Sequence, residues 1–309
     1  MSSHPKITAG LPTTRFREPA EFLSGEAVAE VAASLEEAGF DGCHVTDHPA
    51  PDARWLDSGG HHALDPFVAL SFAAAATTTL RLQTYIYVAG YRNPFLSAKS
   101  ALSLDLLSGG RLILGVAAGY LKPEFGSLGV DFDERNELLE EAVEVMKLAW
   151  TGETVSYEGR HFRARGVRMQ PRPVATPHPP IWMGGNSTTA IRRAVETCQG
   201  WAPFRSGRIA DSTRTASVTG VEDLVPRIEL ARRHAEAIGR TEPLDICFSA
   251  GDNEGGPDGS DAQRRELERL GEAGVTWVSV GFDDGHTPTR RQFIDRARRY
   301  ADQVIAPLR

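Results

Sequence analysis

The chain predicts a (β/α)8 barrel, an α/β fold, on three observations. Strand-like and helix-like segments alternate from end to end, and eight of the strand-like segments can be placed in order. The first strand runs into Leu11-Pro12-Thr13, whereas a doubly wound open sheet carries a glycine-rich turn there. The length of 309 residues suits one barrel.

Each element has a local reason. Lys6–Leu11 is a short first strand. Ser24–Ala38 places Val28, Val31, Ala32 and Leu35 at helical spacing, and Gly39 supplies the left-handed stop. Asp41–Thr46 is the second strand. Asp65-Pro66 reads as an N-cap followed by proline in the first turn, opening a helix over Phe67–Thr77. Leu80–Val88 is the third strand. Asn93-Pro94 repeats the helix-start signal, Gly109-Gly110 ends that helix, and Arg111–Val116 is the fourth strand. After Asp133 a long helix carries Leu138, Ala142, Val145, Met146 and Ala149 on one face. The alternation then breaks: Thr154–Ala164 is patterned as a hairpin around Glu158-Gly159, and a proline-rich stretch follows from Pro171 to Pro180. Strands over Ile181–Met183, Gly200–Pro203, Leu244–Phe248 and Val275–Val280 complete the eight. Helices are expected over Ser187–Cys198, Val221–Ile238 and Ala262–Ala273, with a last helix buried through Phe293, Ala297, Tyr300, Ala301 and Val304. The expectation is one domain over 1–309, with an insertion at about 151–180.

Composition narrows the function classes. A net charge of −7 with no basic run longer than a pair argues against nucleic acid or an anionic membrane as partner. The N-terminus lacks the apolar stretch of a secretory signal, and the longest apolar segment, Phe67–Ala76, is too short to span a bilayer; cytoplasm is expected. Cys43, Cys198 and Cys247 are odd in number and widely spaced, which suits buried packing residues and neither a disulfide framework nor a CxxC metal site.

In such barrels chemistry gathers in the loops after the strand C-termini. The loop after the second strand holds Asp47-His48, then a polar stretch with Trp55, His61 and His62 that reads as a substrate lid. His48 is the proton-transfer candidate, because imidazole titrates near neutrality, with Asp47 or a backbone group setting its tautomer. A metal set of His44, Asp47, His48, His61 and His62 is set aside, because the strand lacks a His-x-His pair. After the fifth strand stand Gly184, Gly185, Asn186 and Ser187. Two glycines allow close backbone approach, and the helix start offers amides to an anion; a plain strand-to-helix turn capped by Ser187 explains the same residues. The substrate pocket is expected from the loop 52–64 and the stretch 204–220.

The chain resembles the luciferase-like monooxygenase superfamily, most of all its coenzyme F-420 (deazaflavin)-dependent oxidoreductases. The similarity runs from about Leu35 to Trp201. It is carried by Ala38-Gly39-Phe40-Asp41, Thr46-Asp47-His48, Tyr91-Arg92-Asn93-Pro94-Phe95, Leu106-Leu107-Ser108-Gly109-Gly110-Arg111, Leu114 to Tyr120 and Pro180 to Ser187. The resemblance implies an oxidoreductase moving a hydride between coenzyme F-420 and a small organic substrate, an alcohol/ketone pair or an activated double bond. It places Asp47 and His48 on the substrate side, and Gly119 and Tyr120 against the ring. It implies a non-prolyl cis peptide at Tyr85–Ile86 and the cofactor phosphate on Gly184 to Ser187. The alternatives are an FMN-dependent monooxygenase using oxygen, supplied by a separate reductase, and a non-catalytic flavin-binding protein. A homodimer is also implied. Two departures stand out. Sugar-phosphate dehydrogenases of the superfamily carry an acidic residue where this chain has Tyr120, and Gln199 replaces an acidic residue before Gly200-Trp201, which puts rim contacts there in doubt.

Overall fold

The computed structural model describes residues 4–206, 216–250, 259–282 and 289–309. Its strands are β1 (Lys6–Gly10), β2 (Gly42–Val45), β3 (Arg81–Val88), β4 (Leu112–Ala117), β5 (Thr154–Glu158), β6 (Arg163–Arg168), β7 (Ile181–Gly184), β8 (Gly200–Ala202), β9 (Asp245–Ser249) and β10 (Trp277–Val280). Its α-helices are α1 (Pro19–Phe22), α2 (Gly25–Glu37), α3 (Ala53–Asp57), α4 (Pro66–Ala76), α5 (Pro94–Ser108), α6 (Lys122–Ser127), α7 (Arg135–Trp150), α8 (Thr188–Thr197), α9 (Val221–Ala237), α10 (Ser260–Ala273) and α11 (Arg290–Tyr300). Eight parallel strands close in the order β1-β2-β3-β4-β7-β8-β9-β10 and back to β1, so the fold is a (β/α)8 barrel. The hairpin β5–β6 lies outside it as a separate antiparallel pair.

The helix starts follow the capping chemistry. Asp65 accepts from the amides of Phe67 and Val68 ahead of Pro66, and Asn93 accepts from Phe95 ahead of Pro94. Gly109 closes α5 in the left-handed region at φ 68°. Three short helices, α1, α3 and α6, have no counterpart in the sequence reading. Each is too brief to show a helical repeat of apolar residues.

Two layers of apolar packing hold the barrel. One fills the space between strands and helices. The other fills the lower bore, where Trp182 and Trp277 meet edge to face at 5.4 Å beside Ile113 and Cys247. All three cysteines are buried and unpaired, as packing residues should be. At the N-terminal end of the barrel stands Arg111, with no carboxylate partner among the described residues. Its guanidinium donates to the carbonyls of Ala74, Thr77, Leu80 and Ser108, covering the C-terminus of α4.

The opposite, C-terminal end stays open. Gly10, His44, Thr46, Ile86, Ala117 and Gly185 stand at or beside the bore, yet are only half-buried. One irregularity shapes this mouth. The β3–β4 ladder runs in register to Thr84–Leu114, skips Tyr85 and Ile86, and resumes at Tyr87–Val116. Opposite the skip stands Gly115, where a Cβ would lie 2.2 Å from the Thr84 carbonyl oxygen. Only glycine permits that approach. The Tyr85–Ile86 peptide there is cis.

Candidate active site

His48 follows β2 onto the rim and is 7 % exposed. Its Nδ1 lies 3.2 Å from Glu124 Oε2, and its Nε2 lies 3.3 Å from the Tyr120 hydroxyl. Trp55 of α3 packs against the imidazole at 4.5 Å between ring centroids, and His61 at 5.0 Å. His62 is not part of this group; its ring meets Phe16 at 4.9 Å.

Asp47 corrects the expectation that it orients His48. Its carboxylate faces the other way and takes Arg92 in a two-pronged ion pair, at 2.8 and 2.9 Å, together with the Val88 amide at 3.1 Å. Burial pushes this carboxyl up and the Arg92 fork opposes it. The pair fastens the β2 end to the β3 end, so Asp47 builds the rim.

Glu124 holds the histidine instead, and sequence reasoning missed it. Its side chain is fully buried, accepting from the Ala50 amide at 2.8 Å and the Tyr91 hydroxyl at 2.8 Å besides His48. Burial alone would raise this carboxyl, but the hydrogen bonds from His48, Ala50 and Tyr91 outweigh it and hold it below the usual carboxylate range. The available signal was its position, in α6 within the segment that follows β4 on the C-terminal face. Nothing in the spacing pairs it with His48, 76 residues away.

His44, four residues before His48, points into the bore. It touches Thr8 Oγ1 at 3.3 Å and the Tyr85 ring at 5.2 Å, and burial pushes its pKa down to about 4. The two histidines therefore do not converge, and no metal-binding cluster exists among the described residues.

Across the mouth, Ile86 lies over Gly184, where a Cβ would come within 2.4 Å of its Cδ1. The Tyr85 hydroxyl donates to the Pro203 carbonyl at 3.3 Å. Gly185 takes φ 122°, a conformation that favours glycine. Asn186 turns its amide away from the mouth, donating to the carbonyls of Phe204 and Ala216 and accepting from the Phe204 amide. Ser187 caps α8 by accepting from Ala190. The side chains of both residues thus serve the fold, while the first-turn amides of α8 have no intrahelical acceptor. Gly119, at φ 83°, packs on Val88 and Phe125, and Tyr120 is 39 % exposed beside it. Gln199 lies away from the rim. It starts β8 at the N-terminal end, its side chain accepting from the Ile181 amide, so its replacement of an acidic residue leaves the mouth untouched. Part of the expected pocket stretch, 207–215, lies outside the described residues.

A parallel barrel with an open C-terminal mouth and a carboxylate-held histidine on its rim has the framework of a (β/α)8 enzyme acting on a small molecule. The chain belongs to the luciferase-like monooxygenase family, whose model matches residues 11–250, and it is an oxidoreductase of that family. It is 30% identical over 240 residues to an F420-dependent glucose-6-phosphate dehydrogenase of Gordonia bronchialis, covering 75% of this chain and 68% of the relative. Among solved structures it is similar to the monooxygenase RslO1 from Streptomyces bottropensis, with a TM-score of 0.76, 22% identity and coverage of 98% and 99%. The coenzyme F420-dependent tetrahydromethanopterin reductase from Methanopyrus kandleri matches with a TM-score of 0.70, 18% identity and coverage of 99% of each chain. No helix among the described residues is long and apolar enough to cross a membrane.

Proposed function

We propose that this protein transfers a hydride between coenzyme F-420 and a small organic substrate, an alcohol/ketone pair or an activated double bond, in the cytoplasm. The observation that carries this reading is His48 on the rim of the mouth, held on Nδ1 by buried Glu124 and meeting the Tyr120 hydroxyl on Nε2. Gly184 and Gly185, which bring no side chain to the mouth beside Ile86, suit the close approach of a flat ring. The Gly185 amide donates to the Ala202 carbonyl, so a phosphate would take the amides from Asn186 into the start of α8. A bound deazaflavin supplies carbon-centred hydride chemistry without oxygen activation. The protein's part is to hold substrate beside that carbon and to manage the accompanying proton through His48. Trp55 and His61 serve as a lid over the imidazole.

The relative named for glucose 6-phosphate does not make this a sugar-phosphate enzyme. Tyr120 offers a neutral hydroxyl where those enzymes carry an acid. The second reading, an FMN-dependent monooxygenase fed by a separate reductase, draws support from the fold shared with RslO1. Fluorescence titration with coenzyme F-420 and FMN separates the two. Binding of F-420 with substrate-dependent bleaching of its absorbance is expected, and FMN binding without F-420 binding reverses the order.

A homodimer belongs to the same reading. Helix α4 turns Val68 and Phe72 to solvent and α5 adds Leu96 and Leu107, whereas α10 and α11 are rich in charge on their exposed sides. A second copy would cover that stripe. Light scattering of wild type and Phe72→Glu tests it, and a monomeric wild type removes the dimer.

A further inference from the structure

A carboxylate with no exposed surface is costly unless its lone pairs are used. At Glu124 three donors converge from two segments: the Ala50 amide on Oε1 and His48 Nδ1 on Oε2 from the loop after β2, and the Tyr91 hydroxyl on Oε2 from beyond β3. An ionised carboxylate only accepts, so the hydrogen between it and Nδ1 belongs to the imidazole. A neutral His48 then carries its lone pair on Nε2. That nitrogen faces the Tyr120 hydroxyl, which stands half in solvent at the mouth.

We propose that Glu124 is a positioning residue that fixes His48 as its Nδ1–H tautomer, and that Tyr120 is the relay through which His48 Nε2 exchanges the substrate's proton. The proposal rests on the hydride-transfer reading for its chemistry, though not for its geometry. In the oxidative direction, the substrate O–H bond breaks as Tyr120 Oη takes that proton. The original Tyr120 O–H bond breaks as Nε2 takes the hydroxyl proton. With a deazaflavin bound as the oxidant, the two electrons would leave the substrate carbon as hydride, so that substrate would be oxidised and the cofactor reduced. The surplus proton rests on an imidazolium whose Nδ1–H still points at Glu124. Reduction runs the same path backwards.

The surroundings agree with these roles. Burial and the Glu124 charge push the Tyr120 hydroxyl up to about 12, so it passes protons without standing as a tyrosinate. The same two causes raise Tyr91, which keeps its hydrogen as a donor to Glu124. The other groups near the imidazole are His61, Trp55 and the Asp47–Arg92 pair, whose opposite charges offset one another. Glu124 is thus the carboxylate in direct contact with the ring.

A purely architectural Glu124, tying Ala50 to Tyr91, predicts none of the following. In cofactor-free protein, 15N NMR of the His48 ring is expected to show the Nδ1–H tautomer. Glu124→Gln should mix the tautomers, and Tyr91→Phe should preserve Nδ1–H. With cofactor and substrate, E124Q should lower kcat roughly tenfold or more and move the acid limb of the kcat profile about one pH unit down, since the imidazolium loses its counter-charge. Y120F, at an exposed site, should lower kcat about tenfold with cofactor affinity unchanged, leaving the limb in place. An Nε2–H tautomer in the wild type, an E124Q profile that does not move, or a Y120F enzyme at full kcat overturns the proposal. The expected tautomers with no turnover on F-420 overturn the hydride reading and leave the positioning of His48 standing.

Discussion

The bore of the barrel and its rim each hold a histidine, four residues apart at one strand end, and their settings are opposite. His44 sits in the bore beside Thr8 and Tyr85, with no carboxylate among the described residues against it, and burial holds it neutral. His48 sits on the rim with a carboxylate on one nitrogen and a hydroxyl on the other. The residue type is the same; the charge beside it decides which one can carry a proton through a reaction. A strand that alternates its side chains places His44 inward, and the chain leaves the strand before His48, so the loop after β2 can deliver the second histidine to Glu124.

The largest test of this contrast is to remove each ring in turn. His48→Ala should lower kcat about 10²- to 10⁴-fold, the usual worth of a positioned acid–base group, with cofactor binding retained in a fluorescence titration. His44→Asn should leave kcat within about tenfold of wild type on the same scale. Equal losses from the two variants would abolish the distinction between bore and rim. Asp47→Asn gives the next effect, and on stability before activity. It removes the charge from one half of a buried fork and leaves Arg92 with the longer Asp65 contact at 3.4 Å, which should cost about 2 kcal/mol in chemical denaturation. The pH profile of kcat should keep its shape, because Asp47 does not touch the imidazole. A shifted limb in D47N would return the orienting role to Asp47.

Why Asp47 reads as the partner from sequence is plain: it is the adjacent residue, and sequence reveals neighbours in the chain more readily than neighbours in space. The barrel was legible for the same reason, since its signals are local. Asp65-Pro66, Asn93-Pro94 and Gly109 start or stop helices through contacts within one turn. His48 was legible because its chemistry belongs to the residue type. Its support was not. Glu124 comes from the far side of β3, α5 and β4, and only closure of the barrel brings it to Nδ1. Asn186 shows the converse. A polar side chain beside two glycines suggests a ligand contact, but its amide meets Phe204 and Ala216, partners that no spacing in the chain announces.

The smallest effect tests the bore itself. His44 has its pKa lowered from 6.5 to about 4 on folding, with burial as the cause. Above about pH 6.5 the ring is neutral in both folded and unfolded chains, and its full contribution to stability is present. As pH falls from there toward 4 the unfolded chain takes up a proton that the folded chain refuses, so stability is lost through that window and levels off below it. The steepest slope from this one group is about 1.4 kcal/mol per pH unit. Urea unfolding followed from pH 7 to pH 4 should therefore show a decline that His44→Gln flattens by up to that slope. If H44Q titrates like the wild type, the bore admits enough water to charge the ring, and the division between the histidine in the bore and the working one on the rim disappears.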